Sequence, residues 1–274
     1  MIDLSFVSVS GARLTLIPEL IPPGERLMGA DLAEQALEGL TRAPRFTALD
    51  SAAMAEPVTD VLSEGGQRVS QLIYGEIFEI LFRRGGRAYG RSRRDGTVGW
   101  VGEAVLKPAY GFPAYRVRSH GGRYPFNALV TGDEAGLEGA DLTPVAEFEA
   151  DAVAVARGFF GASVEKGARS EIVDGIGLVQ QVLFACGRAA PRRAVDLAAV
   201  GRSLEQGELT AGDIVVWVSA EDKALGHAAL VVDGEHVIHA CANSGKIVET
   251  TLANVSAQAA AAELGLPLYR RPTF

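Results

Sequence analysis

Three side chains near the C-terminal end have the types and spacing for nucleophilic chemistry. His227 stands at the head of the apolar run Ala228–Val232, and His239 lies within the run His236–Ala240. Cys241 follows His239 by two residues, and period-two alternation puts both side chains on one strand face if the strand continues. An imidazole beside a thiol can take its proton and leave a nucleophile, provided a third group orients the ring. Asp174 opens a second segment of interest, the apolar helical stretch Gly175–Cys186. Cys186 at its end reads as a buried apolar thiol. His227, His239 and Asp174 would be a conceivable zinc set, but their spacing matches no metal motif, so no metal and no cofactor is expected. His236 alternates to the opposite strand face, and His120 sits in a Gly-rich loop that suggests no role.

The elements that must carry these groups follow from periodicity. Asp151–Phe160 reads as a helix with Ala152, Val153, Val155, Ala156 and Phe159 on a broad apolar face. In Gly175–Cys186, Leu178, Val179, Val182, Leu183 and Cys186 recur at helical spacing, and Gly187 ends the helix. Four strands follow, Ile214–Val218, Ala228–Val232, His236–Ala240 and Lys246–Thr250, with a hairpin turn at Asp233-Gly234. Helices first and an antiparallel sheet afterwards is an α+β arrangement.

The upstream half reads differently. Val69–Tyr74, Ile77–Phe82, Ala88–Ser92 and Thr97–Val101 are short β-forming runs punctuated by Gly75, Gly85-Gly86 and Asp95-Gly96, the pattern of a small β-barrel. Residues 1–55, rich in Pro and Gly, read as an N-terminal extension that wraps over other domains. Four segments result: extension 1–55, barrel 56–107, a short segment or linker 108–148, and an α+β domain 149–274.

Composition bounds the function. The chain has 274 residues, 48% apolar and 22% charged, with a net charge of −8 that argues against nucleic-acid binding. No window approaches 18 uncharged apolar residues, so no membrane span is expected. The first residues lack a basic region followed by an apolar run, which predicts no signal peptide and a cytoplasmic protein. Two cysteines make no disulfide framework.

Several stretches together resemble one family. Val173-Asp174-Gly175-Ile176-Gly177-Leu178-Val179-Gln180 is similar to D-C-S-G-L-V-Q, the nucleophile helix of NlpC/P60 cysteine peptidases. Leu209–Trp217 resembles the family's L-x-x-G-D-L-V-F-W strand, Gly226–Val231 its G-H-V-G-I strand, and Val237–Ala240 the strand after it. Asp95–Val101 resembles the D-G-Y-V-G-W-V signature of bacterial SH3 domains, and Tyr74-Gly75-Glu76 a Y/F-G-E turn of peptidase-linked copies. The resemblance is to SH3-linked members, γ-D-glutamyl-L-diamino acid endopeptidases or dipeptidyl-peptidase VI. It implies a papain-like C-terminal domain preceded by one or two SH3-like barrels, with 108–148 as a degenerate second copy or a linker.

The resemblance also implies roles. His227 matches the catalytic His and His239 the residue that orients it. The nucleophile position, where a helix N-terminus would stabilise a thiolate, holds Gly175. Ile176 replaces a small hydroxyl residue. Gly161–Ser170 is similar to G-T-P-Y-L-W-G-G-R-S, which puts Val164 at a substrate-site Tyr and Lys166 at a Trp. Asp174 and Glu76 match acids that hold the free amine of the substrate's L-Ala, and Thr97 stands where that subsite has a Tyr. From the residues themselves, Asp174 is equally a helix N-cap and Glu76 an exposed turn carboxylate.

Three functions remain open. The first is an inactive homologue that binds peptidoglycan stem peptides or muropeptides of the L-Ala-γ-D-Glu-diaminopimelate type. The second is an active peptide hydrolase that uses Cys241 or a directly activated water, since Cys186 lies roughly 16 Å along the helix axis from position 175. The third is an SH3-like module that binds a protein partner, to which Arg83, Arg84, Arg87, Arg91, Arg93 and Arg94 offer either an anion site or a solvated β-ribbon.

Overall fold

A computed structural model describes residues 23–109, 111–134, 141–223 and 225–273. They divide into two compact units, 23–117 with 128–146 and 118–127 with 147–273. The first 22 residues of the extension lie outside the described residues.

The first unit is built on a seven-stranded antiparallel sheet. Its strands are β1 (Asp50–Met54), β2 (Val58–Leu62), β3 (Arg68–Ile73), β4 (Ile77–Arg84), β5 (Arg87–Ser92), β6 (Val98–Gly102) and β7 (Leu106–Pro108), in the order β3-β2-β6-β5-β4-β1-β7. Gly85 and Gly86 turn β4 into β5 at φ of 59° and 73°, values that cost an L-residue with a Cβ. Met54, Val61, Leu72, Phe78, Ile80, Ala88 and Val101 fill the interior. Their sequence neighbours Tyr89 and Trp100 point the other way, and with Phe82 they form a cross-strand row with ring centroids 5.1–5.5 Å apart. Strand β1 comes from the stretch read as extension. Its Ser-Ala-Ala core has no β-branched or aromatic residue, so only pairing with β4 and β7 makes it a strand.

Residues 108–148 carry a small sheet of their own, β8 (Pro113–Val117), β9 (Leu129–Thr131) and β10 (Leu142–Pro144), in the order β9-β8-β10. It is fastened to the barrel at Tyr74-Gly75. Leu129 N–H donates to the Tyr74 carbonyl at 2.9 Å, and a Cβ on Gly75 would overlap the Leu129 carbonyl. Beside it, Glu134 accepts from Tyr74 Oη (2.9 Å), Lys107 Nζ (2.5 Å) and Thr131 Oγ1 (3.0 Å). Burial alone would raise this carboxyl, but the Lys107 and Thr131 hydrogen bonds outweigh it and hold the pKa at about 2, against an ordinary 4.5. The unfolded chain therefore takes up this proton first as pH falls. The contribution of Glu134 to stability is full above pH 4.5 and disappears as pH drops through about 2. A Glu134→Gln variant should lose part of the acid sensitivity of this unit between those values. Equal pH slopes for variant and parent in urea titrations would refute the assignment.

The second unit opens with α1 (Ala152–Arg157), capped by Asp151, whose carboxylate accepts the Ala154 N–H at 2.9 Å. Next come α2 (Gly175–Ala185), α3 (Ala194–Leu197) and β11 (Arg202–Leu204). Strands β12 (Ile214–Val218), β13 (Gly226–Val231), β14 (His236–Cys241) and β15 (Lys246–Thr251) follow, then α4 (Leu252–Ala261) and β16 (Leu268–Arg271). The sheet is six-stranded and antiparallel, in the order β11-β16-β12-β13-β14-β15. Every residue of α2 is buried, which explains its apolar composition on all sides. One core joins α2 to Ile214, Val216, Leu230 and Ile238. A second, on the other sheet face, holds Val215, Trp217, Val231, Val237, Leu252 and Val255. With both faces covered, β12 reads as the unbroken run Ile-Val-Val-Trp rather than an alternation. The α+β architecture is the one expected. Among the described residues no helix is long and apolar enough to cross a membrane.

Candidate functional site

Asp174 fixes the start of α2. Its carboxylate accepts the N–H groups of Gly177 (2.7 Å) and Gly167 (2.8 Å) and a two-pronged bond from Arg192 (2.8 and 2.5 Å). All four lone-pair positions are thus in use. Burial would raise this carboxyl, but the Arg192 guanidinium and the two N–H groups hold it below the usual carboxylate range. Of the two readings offered by sequence, the helix cap is the one seen. The sequence carries no sign of Arg192, since a partner 18 residues downstream, beyond α2 and the irregular stretch after it, leaves no periodic signal.

The next residue is Gly175. A Cβ there would lie 2.7 Å from Nδ1 of His227 and 2.8 Å from the carbonyl oxygen of Ala228. Both are closer than side-chain carbons approach their neighbours. The first turn of α2 has therefore closed onto β13, and the His227 ring stands against the place where a side chain would begin. On its far side, His227 Nε2 is 3.1 Å from Nδ1 of His239, with the two rings perpendicular. His239 is 1% exposed, and its Nε2 has no hydrogen-bond partner among the described residues.

This setting keeps both rings neutral. Burial lowers His227 to about 4 against a smaller upward pull from Asp174. Burial and the neighbouring His227 lower His239 to about 4. A protonated His239 would also hold a buried N–H with nothing to accept it. The unfolded chain, with imidazoles near 6.5, takes up protons first. The stability contributed by the neutral pair is present above pH 6.5 and lost as pH falls through about 4. An NMR titration should show both rings changing charge near pH 4. Midpoints near 6.5 would mean solvated rings and a different site.

The other candidates fall as follows. Ile176 is 6% exposed and belongs to the α2 core, against which Val164 also packs. Val164 N–H donates to the Gly245 carbonyl at 3.0 Å. Cys186 lies in the same core. Cys241 ends β14, as the alternation required, but its thiol hydrogen-bonds Ser244 in the following turn. That bond, with backbone bonds to Ser244 and Asn243, draws its pKa below the ordinary thiol value. No three His, Cys, Asp or Glu side chains converge to hold a metal among the described residues. His120, which suggested nothing, stacks on Phe126 at 4.6 Å and pairs with Glu171 at 3.1 Å.

Residues 62–106 match the family model of the bacterial dipeptidyl-peptidase SH3 domain, and residues 162–263 match that of the NlpC/P60 family. Residues 162–263 form an NlpC/P60 domain. Among solved structures, an NlpC/P60 family protein from Bacillus cereus aligns over 81% of this chain and 99% of its own, at 11% identity and a TM-score of 0.60, which is a likeness of fold. NlpC2 from Trichomonas vaginalis aligns over 82% and 97%, at 13% identity and a TM-score of 0.44. A comparison with curated proteins finds no match.

Within this NlpC/P60 domain two strand-borne histidines meet, and Gly175 opens α2 beside them. The SH3 domain holds the remaining candidates. Glu76 is not an exposed turn carboxylate. It is fully buried, accepts the Ile73 N–H at 3.1 Å and pairs with Arg94 at 3.2 Å. Thr97 takes the Asp95 carboxylate on its N–H at 3.0 Å. The arginine cluster is largely neutralised within the domain. Arg83 pairs with Asp50 and Glu103, Arg84 with Glu64, Arg91 with Glu34 and Glu79, and Arg93 with Glu79. Arg83, Arg84 and Arg87 at the hairpin tip are exposed, as a solvated ribbon would have them, whereas Arg91 is buried and Arg94 partly buried against carboxylates.

Proposed function

We propose that this protein is a non-hydrolytic NlpC/P60 homologue that binds peptidoglycan-derived peptides of the L-Ala-γ-D-Glu-diaminopimelate type. The observation that carries the reading is the closed approach at Gly175. A covalent route needs a nucleophile at the start of α2, and there the His227 ring and Ala228 carbonyl leave no room for its first carbon. A neutral imidazole without that partner has no thiol proton to take. The retained histidine pair and capped helix support recognition of the family's ligand class without turnover.

Calorimetry with the tripeptide, followed by chromatography of the peptide, tests this. Saturable heat with intact peptide is expected. Cleaved peptide would overturn the reading. A second reading, turnover by Cys241, draws on the lowered pKa of that thiol. In that case the cleavage should vanish in Cys241→Ser. No heat at any concentration would also reject the proposal and turn attention to a protein partner of the SH3 domain.

A further inference from the structure

The N-terminal extension meets the SH3 barrel at the signature turn 92–97. The turn is closed by Ser92 N–H to the Thr97 carbonyl (2.8 Å) and Gly96 N–H to the Ser92 carbonyl (2.9 Å). Gly96 has φ +75°, and a Cβ on it would overlap the carboxyl carbon of Glu25. Glu25 is 6% exposed, so its carboxyl group is pressed onto the bare backbone of the turn. Arg91 of β5 fastens the same segment. Its Nη1 donates to the Glu25 carbonyl at 2.7 Å, and its two Nη atoms grip the Glu34 carboxylate at 3.2 and 3.1 Å. Glu34 in turn accepts the Leu27 N–H at 2.9 Å. Leu27 and Leu37 are fully buried on either side of this clamp.

Two features separate this arrangement from ordinary core packing. Arg91 has a second carboxylate within the barrel, Glu79 of β4, at 2.8 and 3.0 Å, so the barrel does not need Glu34 to neutralise it. The turn also leaves polar groups unmet. Ser92 is 0% exposed, and neither its Oγ nor Thr97 Oγ1 has a hydrogen-bond partner among the described residues. Permanent core contacts ordinarily satisfy buried hydroxyls. Unsatisfied ones flanking the Gly96 backbone on which the Glu25 carboxyl rests fit an occupant that stands on a ligand-receiving surface without using all of it.

We propose that residues 24–37 are a built-in occupant of the SH3 barrel, and that the surface they cover at Arg91 and turn 92–97 takes an acidic peptide when they lift. The recognition chemistry is a guanidinium fork for one carboxylate and a glycine backbone on which a second can rest. The tethered segment holds the surface closed because its effective concentration exceeds that of a free competitor.

The test uses the full-length protein, Glu34→Gln and Gly96→Ala. Glu34→Gln removes the strap's ion pair and leaves Arg91 bound to Glu79. Gly96→Ala displaces the Glu25 carboxyl by an independent route. Hydrogen exchange and binding of a fluorescent peptide with the sequence of residues 24–37 are read. Exchange within 24–37 should rise at least tenfold in Glu34→Gln, while β4 and β6 keep their protection. The labelled peptide should bind this variant at least tenfold more tightly than the parent, and a scrambled peptide should not. Unchanged exchange in both variants would overturn the proposal. So would loss of protection in β4 and β6 together with the strap, which would make the segment part of the core, or peptide affinity equal to the parent's. If Gly96→Ala fails to fold, Glu34→Gln decides.

Discussion

Gly175→Cys should yield a less stable protein and no peptidase. The added Cβ must enter a space bounded by His227 Nδ1 at 2.7 Å and the Ala228 carbonyl at 2.8 Å. The imidazole can swing away, although its bond to His239 would break. The carbonyl belongs to β13 and can move only with the sheet. Overpacking of this kind costs about 1–3 kcal/mol. The two tryptophans lie one in each unit, so Trp217 fluorescence can follow the second unit's denaturant midpoint separately from Trp100. The thiol should also fail to form an acyl-enzyme, because a displaced His227 no longer faces it along the productive line. Gly175→Cys combined with His227→Ala should recover part of the lost stability, since the two sites are in contact and their effects do not add. A single Gly175→Cys variant as stable as the parent and able to cleave the tripeptide would sink both the steric argument and the reading of the site as closed.

The second large effect is expected at Arg192, the cation that grips the Asp174 carboxylate. Arg192→Ala leaves a half-buried carboxylate with only its two backbone donors. Removing one partner of such a pair costs about 3–5 kcal/mol when fully buried, and about 3 kcal/mol is expected here because Asp174 keeps some exposure. The pH dependence distinguishes this from lost packing. With Arg192 present, the Asp174 contribution is full above the ordinary carboxylate value of 3.8 and lost as pH falls through its lowered folded value. Without Arg192 that window should move upward, so parent and variant should differ most near neutral pH and converge in acid. Chemical denaturation at a series of pH values reads this directly. A constant difference across the series would assign the loss to packing instead.

Much of the second unit was legible because its elements bury continuous faces. Ile214–Val218 and the strands carrying His227 and His239 are apolar runs closed by turn residues, and they fall within two residues of their expected bounds. The barrel was legible from its glycine turns. Strand β1 was not, because small residues become a strand only through their neighbours. Glu76 was misjudged for a related reason. A carboxylate beside a turn glycine looks exposed until Arg94 folds over it from 18 residues away. Within the arginine cluster the burial of Arg91 was hidden in the same way, since its partner Glu34 precedes it by tens of residues.

By itself the sequence determined that position 175 has no side chain, that two histidines lie on adjacent strands, and that an aspartate opens the buried helix. These are properties of residue type and local period. Only the tertiary structure decided that the gap at Gly175 is closed by the His227 ring and the Ala228 carbonyl, and that Asp174 is fully engaged by Arg192 and two backbone N–H groups. A missing Cβ permits two elements to approach, but how near they come depends on the packing of the whole α2–β13 interface. No local pattern of residues encodes that distance.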